Sequence, residues 1–124
     1  MTRSDDGTTV VEFAAALTLV VTLFLGVAQV AVYAYAGNVA RHAAMEGARA
    51  GAELGRADGD GAVVARGLLG DGLGSTGRRF RVTSRRWRGL SEVVVSGQAP
   101  RLVPFAPALN VRAAARVVAE ETTR

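Results

Sequence analysis

The 124-residue chain has no cysteine, no lysine, a single histidine and only 6% aromatic residues. Without cysteine there is no disulfide framework, no thiolate metal site and no cysteine nucleophile. All 15 basic residues are arginine, which excludes Schiff-base lysine and phosphate-loop lysine chemistry. A lone His42 excludes a metal site built on a histidine pair. Eleven acidic residues leave a net charge of +4. No nucleophile–base pair, metal cluster or phosphate cradle is visible, so neither an enzyme nor a cofactor is expected.

Charge is also missing from one long stretch. No charged residue lies between Glu12 and Arg41, a run of 28 positions. Its core, residues 13–36, is 24 residues, about 36 Å as a helix at ~1.5 Å per residue. The hydrocarbon layer of a bilayer is about 30 Å thick, so this length spans it with some tilt. Eleven of the 24 are Leu, Val or Phe. Each favours insertion by roughly 0.3 to 0.6 kcal/mol, on the order of 3 to 7 kcal/mol together. Thr18, Thr22 and Gln29 oppose this modestly, and threonine hydroxyls can bond back to helix carbonyls. Tyr33 and Tyr35 stand at the far end, where amphipathic rings favour the interface. A buried helix of a soluble protein is the competing reading, but the uncharged run is too long for so small a domain to enclose. Fewer than 90 residues follow the segment, and a core that thin needs help from the helix or from neighbouring subunits.

The residues before the apolar run are short and polar. A secretory signal peptide needs a basic start, a shorter apolar stretch and a small-residue cleavage site. Ala34-Tyr35-Ala36 imitates such a site, yet the run is too long and Asp5 and Asp6 oppose Arg3. Glu12 stands at the threshold of the run. One reading makes it a first-turn acid that suits the helix dipole near headgroups. The other begins with a cut after Gly7. Thr8 then carries a new ammonium, and Glu12, four residues on, shares its helix face and neutralises it.

Gly7-Thr8-Thr9-Val10-Val11-Glu12-Phe13, followed at once by the apolar helix, resembles the class III signal of type IV pilin-like proteins. More narrowly it resembles the TadE-like family of tight-adherence (Tad/Flp) pilus systems, which carry Gly-x-x-x-Val-Glu-Phe at this place. The likeness continues through Asn38-Val39-Ala40-Arg41-His42-Ala43-Ala44-Met45-Glu46-Gly47-Ala48-Arg49-Ala50-Gly51, with Met45 where arginine is common. It is firm over residues 7–52 and vague afterwards. The resemblance implies a minor pilin or pseudopilin, cut by a prepilin peptidase between Gly7 and Thr8. Its implied partners are other pilin-like subunits, the pilus assembly machinery and membrane lipid. Thr8, Glu12 and Phe13 would serve assembly and charge pairing. The implied topology is a cytoplasmic leader, residues 1–7, a single pass through the cytoplasmic membrane and a C-terminal domain outside, with incorporation into a surface pilus. A positive-inside count runs the other way, with Arg3 before the helix and Arg41 and Arg49 after it, but long C-terminal domains translocate largely regardless of such counts.

Past the membrane the helix is expected to run on through residue 57, making residues 8–57 one element and 58–124 a small α+β domain. Small residues recur four apart as Ala36, Ala40, Ala44, Ala48 and Ala52, and beside them Ala43, Gly47, Gly51 and Gly55. Such lines let helices approach closely, and packing in a pilus-like bundle would offset the ~1 kcal/mol that each helical glycine costs. A plain compositional bias toward glycine and alanine is the alternative. Arg41, His42, Glu46, Arg49 and Glu53 would lie mainly on other faces.

Residues 57–61 read as a turn, with Asp58 and Asp60 too few for a calcium loop and Asp60 capping a short helix over residues 62–69. Val63, Val64, Leu68 and Leu69 would cover a sheet. The glycine-rich residues 70–77 read as a flexible loop. Alternation then predicts strands near residues 79–84 and 92–96, with a proline-bearing connection over residues 97–107. Residues 111–117 alternate as well, but their alanines also suit a helix; the TadE-like resemblance, whose terminal segment is usually extended, implies a third strand there. The expected architecture is α+β and pilin-like: a long N-terminal transmembrane helix packed on a small antiparallel sheet. Six arginines, Arg78, Arg79, Arg81, Arg85, Arg86 and Arg88, gather around Trp87 as a candidate patch for an anionic partner, nucleic acid included. A solvated strand face that keeps the domain soluble is the plainer reading. The alternative function is accordingly an uncleaved single-pass membrane protein whose basic domain binds a cell-envelope or nucleic-acid partner.

Overall fold

A computed structural model of the chain describes residues 3–53, 59–102 and 104–119. Gly55, Asp58, the helix beyond residue 53 and the first two leader residues lie outside the described residues.

Helix α1 runs without a break from Arg3 to Ala52, about 75 Å at ~1.5 Å per residue. It contains no proline, and its leucines, alanines and valines have no other local partner for their backbone in an apolar setting than the helix itself. Its two halves are covered differently. From Gly7 to Ala28 no residue is buried, and Val10, Phe13, Leu19, Leu23, Phe24 and Val27 are each more than 60% exposed. Gln29 is the first buried residue, and from Ala36 onward the small residues sink into the folded domain.

That domain is a two-layer arrangement. Helix α2 (Asp60–Leu73) and a single turn, α3 (Ser75–Arg78), precede three strands: β1 (Arg81–Trp87), β2 (Leu90–Gln98) and β3 (Asn110–Val118). The strands form an antiparallel meander in the order β1-β2-β3. Trp87 pairs with Leu90 across a two-residue turn whose Arg88 and Gly89 both have positive φ, 51° and 75°, the backbone that matches strand twist in tight hairpins. The second half of α1 lies across β2 and β3, while α2 packs on α1 and reaches β1. At one end of this layer Gly51 of α1 abuts Ser91 at the start of β2; at the other, the Tyr33 hydroxyl donates to the Asn110 carbonyl at the start of β3 (3.4 Å). The strands therefore run alongside the helix, and residues 99–102 of the β2–β3 connection sit at the end nearer the bare half.

Small residues make the layers possible. A Cβ on Gly47 would stand 2.7 Å from the Gly61 carbonyl oxygen, and one on Gly61 would stand 2.7 Å from that of Gly47. The α1–α2 crossing is thus backbone against backbone, and any side chain there would push the helices apart. Leu69, Val93 and Val95 are fully buried beneath the alanines of α1, joined by Phe80, Val82, Val111 and Ala113. Such an alanine-rich core buries little area per residue, so the domain relies on α1 as its largest wall.

The α+β expectation holds, with corrections in the middle of the chain. The short helix is longer than expected, and Gly59 rather than Asp60 occupies its cap, with Asp60 in the first turn. Val63 is 67% exposed, while Gly61, Ala62, Ala65 and Leu69 form the buried face, which turns chiefly to α1 rather than to the sheet. The glycine-rich stretch is not a loop. Residues 70–73 continue α2, Gly74 turns the chain at φ 60°, and α3 follows. Gly77 packs directly on the Leu69 carbonyl and Gly72 on Val39, so tight packing has overridden weak helix propensity.

Candidate processing and assembly site

Around the N-terminal motif the chain is uncrowded. Gly7 sits within α1 with nothing within 4 Å of where its Cβ would be. Thr8 and Glu12 are exposed, one helical turn apart and on the same side, and Phe13 beside them is 69% exposed. Positions 8 and 12 are therefore within reach of one another along one helix face. Behind this point the helix is apolar on every side. A helix apolar all round and unburied has lipid or other helices as its only suitable surroundings. Thr18 satisfies its hydroxyl by donating to the Ala14 carbonyl (2.8 Å), as expected for a hydroxyl held in an apolar medium.

Gln29 is reached by the domain. Its side-chain amide donates to the Pro100 carbonyl (2.9 Å), and its side-chain oxygen accepts from the Leu102 backbone N–H (2.8 Å). Tyr35 donates to the Gly72 carbonyl (2.9 Å). Of the three polar residues expected to weaken membrane insertion, Gln29 is thus bonded to the folded domain, while Thr18 bonds within its own helix.

The small-residue lines are also occupied. Ala36, Ala40, Ala43, Ala44, Ala48 and Ala52 are at most 4% exposed, and Gly47 and Gly51 are buried. Their cover is this chain's own α2 and sheet, so the close packing expected with sister helices is realised within one subunit. Arg41 and Arg49 lie on the open faces, bonded to Asn38 (2.6 Å) and Glu46 (2.7 Å), and His42 is exposed.

The arginine cluster is split by the sheet. Arg81, Arg85 and Trp87 share the outer face, while Arg86 belongs to the opposite side, paired in register with buried Ser91. Arg78 and Arg79 lie before the sheet, at the end of α3. Trp87 has the Arg85 and Arg88 guanidinium carbons 5.1 and 4.9 Å from its ring centre, a cation–π arrangement. The sequence run missed Arg112 and Arg116, which join the outer face from β3; register places Arg81, Ser96 and Arg112 in one row and Arg85, Glu92 and Arg116 in another. Glu92 accepts from Arg116 (2.6 Å) and Arg85 (2.9 Å). These two hydrogen bonds, Arg116 first, hold its carboxyl below the usual glutamate range. Alternation along β3 carried the signal for its outward arginines, but only strand register brings them beside Arg85.

With this geometry in place, comparison with known proteins bears on the N-terminal half. Residues 7–49 match the family described as TadE-like protein. The match opens at the Gly7 motif and closes within the buried small-residue part of α1, covering about a third of the chain. This likeness over the N-terminal segment suggests a Tad pilus-associated protein. Among the described residues one helix is long and apolar enough to cross a membrane, which fits a single-pass membrane protein carrying a C-terminal domain. Neither the curated proteins nor the solved structures give a match to the chain.

Proposed function

We propose that this chain is a TadE-like minor pilin or pseudopilin, processed by a prepilin peptidase between Gly7 and Thr8 and contributing to assembly of a tight-adherence pilus. The observation that carries the reading is the bare first half of α1 behind an uncrowded Gly7 motif, continuous as one helix with the half that the folded domain covers. The peptidase cut removes the leader and leaves the Thr8 ammonium four residues before Glu12. In a low-dielectric assembly each charge is costly alone, so pairing within or between subunits favours docked helices. Because the Ala36–Ala52 stripe is taken up by the chain's own domain, contact between sister helices falls to the bare half. The leader lies in the cytoplasm and the domain outside the cytoplasmic membrane.

N-terminal sequencing of the membrane-extracted protein tests this. Thr8 as the first residue supports processing, and Gly7→Ala should leave the leader attached. An unprocessed N-terminus in cells that hold the peptidase overturns it and supports the alternative, an uncleaved membrane protein. That alternative draws on the outer sheet face, where Arg81 and Arg112 stand beside the Glu92-bridged pair Arg85 and Arg116. Binding of the full chain to an anionic polymer, weakening steeply with salt, would favour it.

A further inference from the structure

The described residues of the connection between β2 and β3 expose two large apolar side chains. Phe105 is 84% exposed and Leu102 47%, and the segment holds all three prolines. Ala99 and Leu109 close its base by a backbone hydrogen bond (2.9 Å). From the Tyr33–Asn110 contact the segment descends along α1 to the Gln29 clamp, about 6 Å nearer the N-terminus at ~1.5 Å per residue. Its own backbone is braced there, with Arg101 donating to the Ala106 carbonyl (3.4 Å).

The position of the bilayer's outer boundary follows from helix length. A hydrocarbon layer takes about 20 helical residues. Counted from Thr8, it ends near residue 27; counted from Phe13, with Glu12 left at the headgroups, it ends near residue 32. Both limits bracket the clamp at Gln29. Tyr33 and Tyr35 stand just beyond, with 40% and 52% of their surface open, at the level that amphipathic rings favour. Arg79 and Arg101 line one open concavity beside the loop, together with Thr76 and Pro100. Exposed arginines above an apolar tip match a phosphate layer above acyl chains.

We propose that residues 99–102 and 104–109 form an interfacial foot: Leu102 and Phe105 insert into the outer leaflet of the bilayer that α1 crosses, while Arg79 and Arg101 meet the lipid phosphates. The foot rests on the reading of α1 as a membrane span. It fixes the height and rotation of the domain over the membrane, and the subunit must lift it from lipid to leave the bilayer for a filament. Gln29 is the joint that keeps the foot against the helix.

The absence of cysteine permits single-site labelling of the full chain. Phe105→Cys, Thr83→Cys on the exposed outer sheet face and Val20→Cys in the bare helix would each carry an environment-sensitive fluorophore. The proteins are placed in nanodiscs of phosphatidylcholine and phosphatidylglycerol, with nitroxide-bearing lipids as quenchers. The expected result is blue-shifted emission at position 105, quenched about twofold or more by shallow nitroxides. Position 83 should stay water-like and position 20 should respond most to deep nitroxides. If position 20 is quenched and position 105 resembles position 83, the foot is refuted while the membrane span stands. If position 20 is unquenched, the span itself fails and the foot with it. Blue-shifted but unquenched emission at position 105 that grows with protein density assigns the loop to a second copy and overturns the lipid assignment.

Discussion

The two halves of α1 are built from one continuous helix yet solve opposite problems. Residues 7–28 carry Val, Leu and Phe on every side and bury none of them. Residues 36–52 carry Ala and Gly along one side and bury nearly all of that side under the chain's own domain. Large apolar side chains suit a helix whose surroundings are lipid tails or sister helices, because they gain contact in any direction. Small ones suit a helix that must be approached by another backbone at a fixed place, as Gly47 and Gly61 are. Helix α1 is therefore bare at one end, as fits a membrane span, and a wall of the domain at the other, with Gln29 at the changeover.

The sharpest way to break this division is to exchange the solvents of the two halves. Val20→Arg puts a charge at the middle of the bare half, opposing insertion by roughly 2.5 to 3.5 kcal/mol. Alkaline carbonate should then extract much of the protein from membranes, whereas Met45→Arg, on the exposed side of the covered half, should leave extraction unchanged. Next in size is the helix crossing. Gly47→Leu drives a side chain into the Gly61 carbonyl and should destabilise the domain by about 1 to 3 kcal/mol or more, read as a lower midpoint of thermal unfolding in detergent. Gly26→Leu, with nothing within 4 Å of the new Cβ, should not move that midpoint.

Smaller effects refine the domain side. Glu92 is held below its ordinary value of 4.5 by Arg116 and Arg85, so its ionised form is favoured by folding. That stabilisation is complete above the unfolded carboxyl's pKa and is lost as pH falls through the lower folded value. Glu92→Gln should flatten the acid limb of the stability–pH curve relative to the parent and leave its slope near neutrality unaltered. The least change is expected at Ser91, fully buried with its hydroxyl lacking a partner among the described residues. Ser91→Ala should fold as stably as the parent or up to about 1 kcal/mol more so, since no hydrogen bond is lost.

How far each half was legible in the sequence follows the same line. The bare half announces itself, because a membrane span depends on local composition and the Gly7 motif is contiguous. The first two strands were legible from alternation, though β1 extends through Trp87 where the pattern of arginines hid its end, while the alanines of the third suited a helix equally and only the family resemblance favoured a strand. What the small residues of α1 touch was not legible: lines of alanine and glycine say that something comes close, but not whether it is a sister helix or α2. The glycine-rich 70–77 segment failed for the same reason, since Gly72 and Gly77 are there for contact with Val39 and Leu69 rather than for freedom. The outer-face arginines needed register, which joins Arg116 to Arg85 through Glu92 across three strands.

The division of α1 is tested most directly by cysteine accessibility in the full chain within bilayers. A membrane-impermeant maleimide added to both sides should fail to label Phe24→Cys while the bilayer is intact, with urea making no difference. Ala44→Cys should be unreactive until urea unfolds the domain, and Met45→Cys should react throughout. Labelling of position 24 in intact bilayers, or of position 44 in the folded protein, would contradict the account.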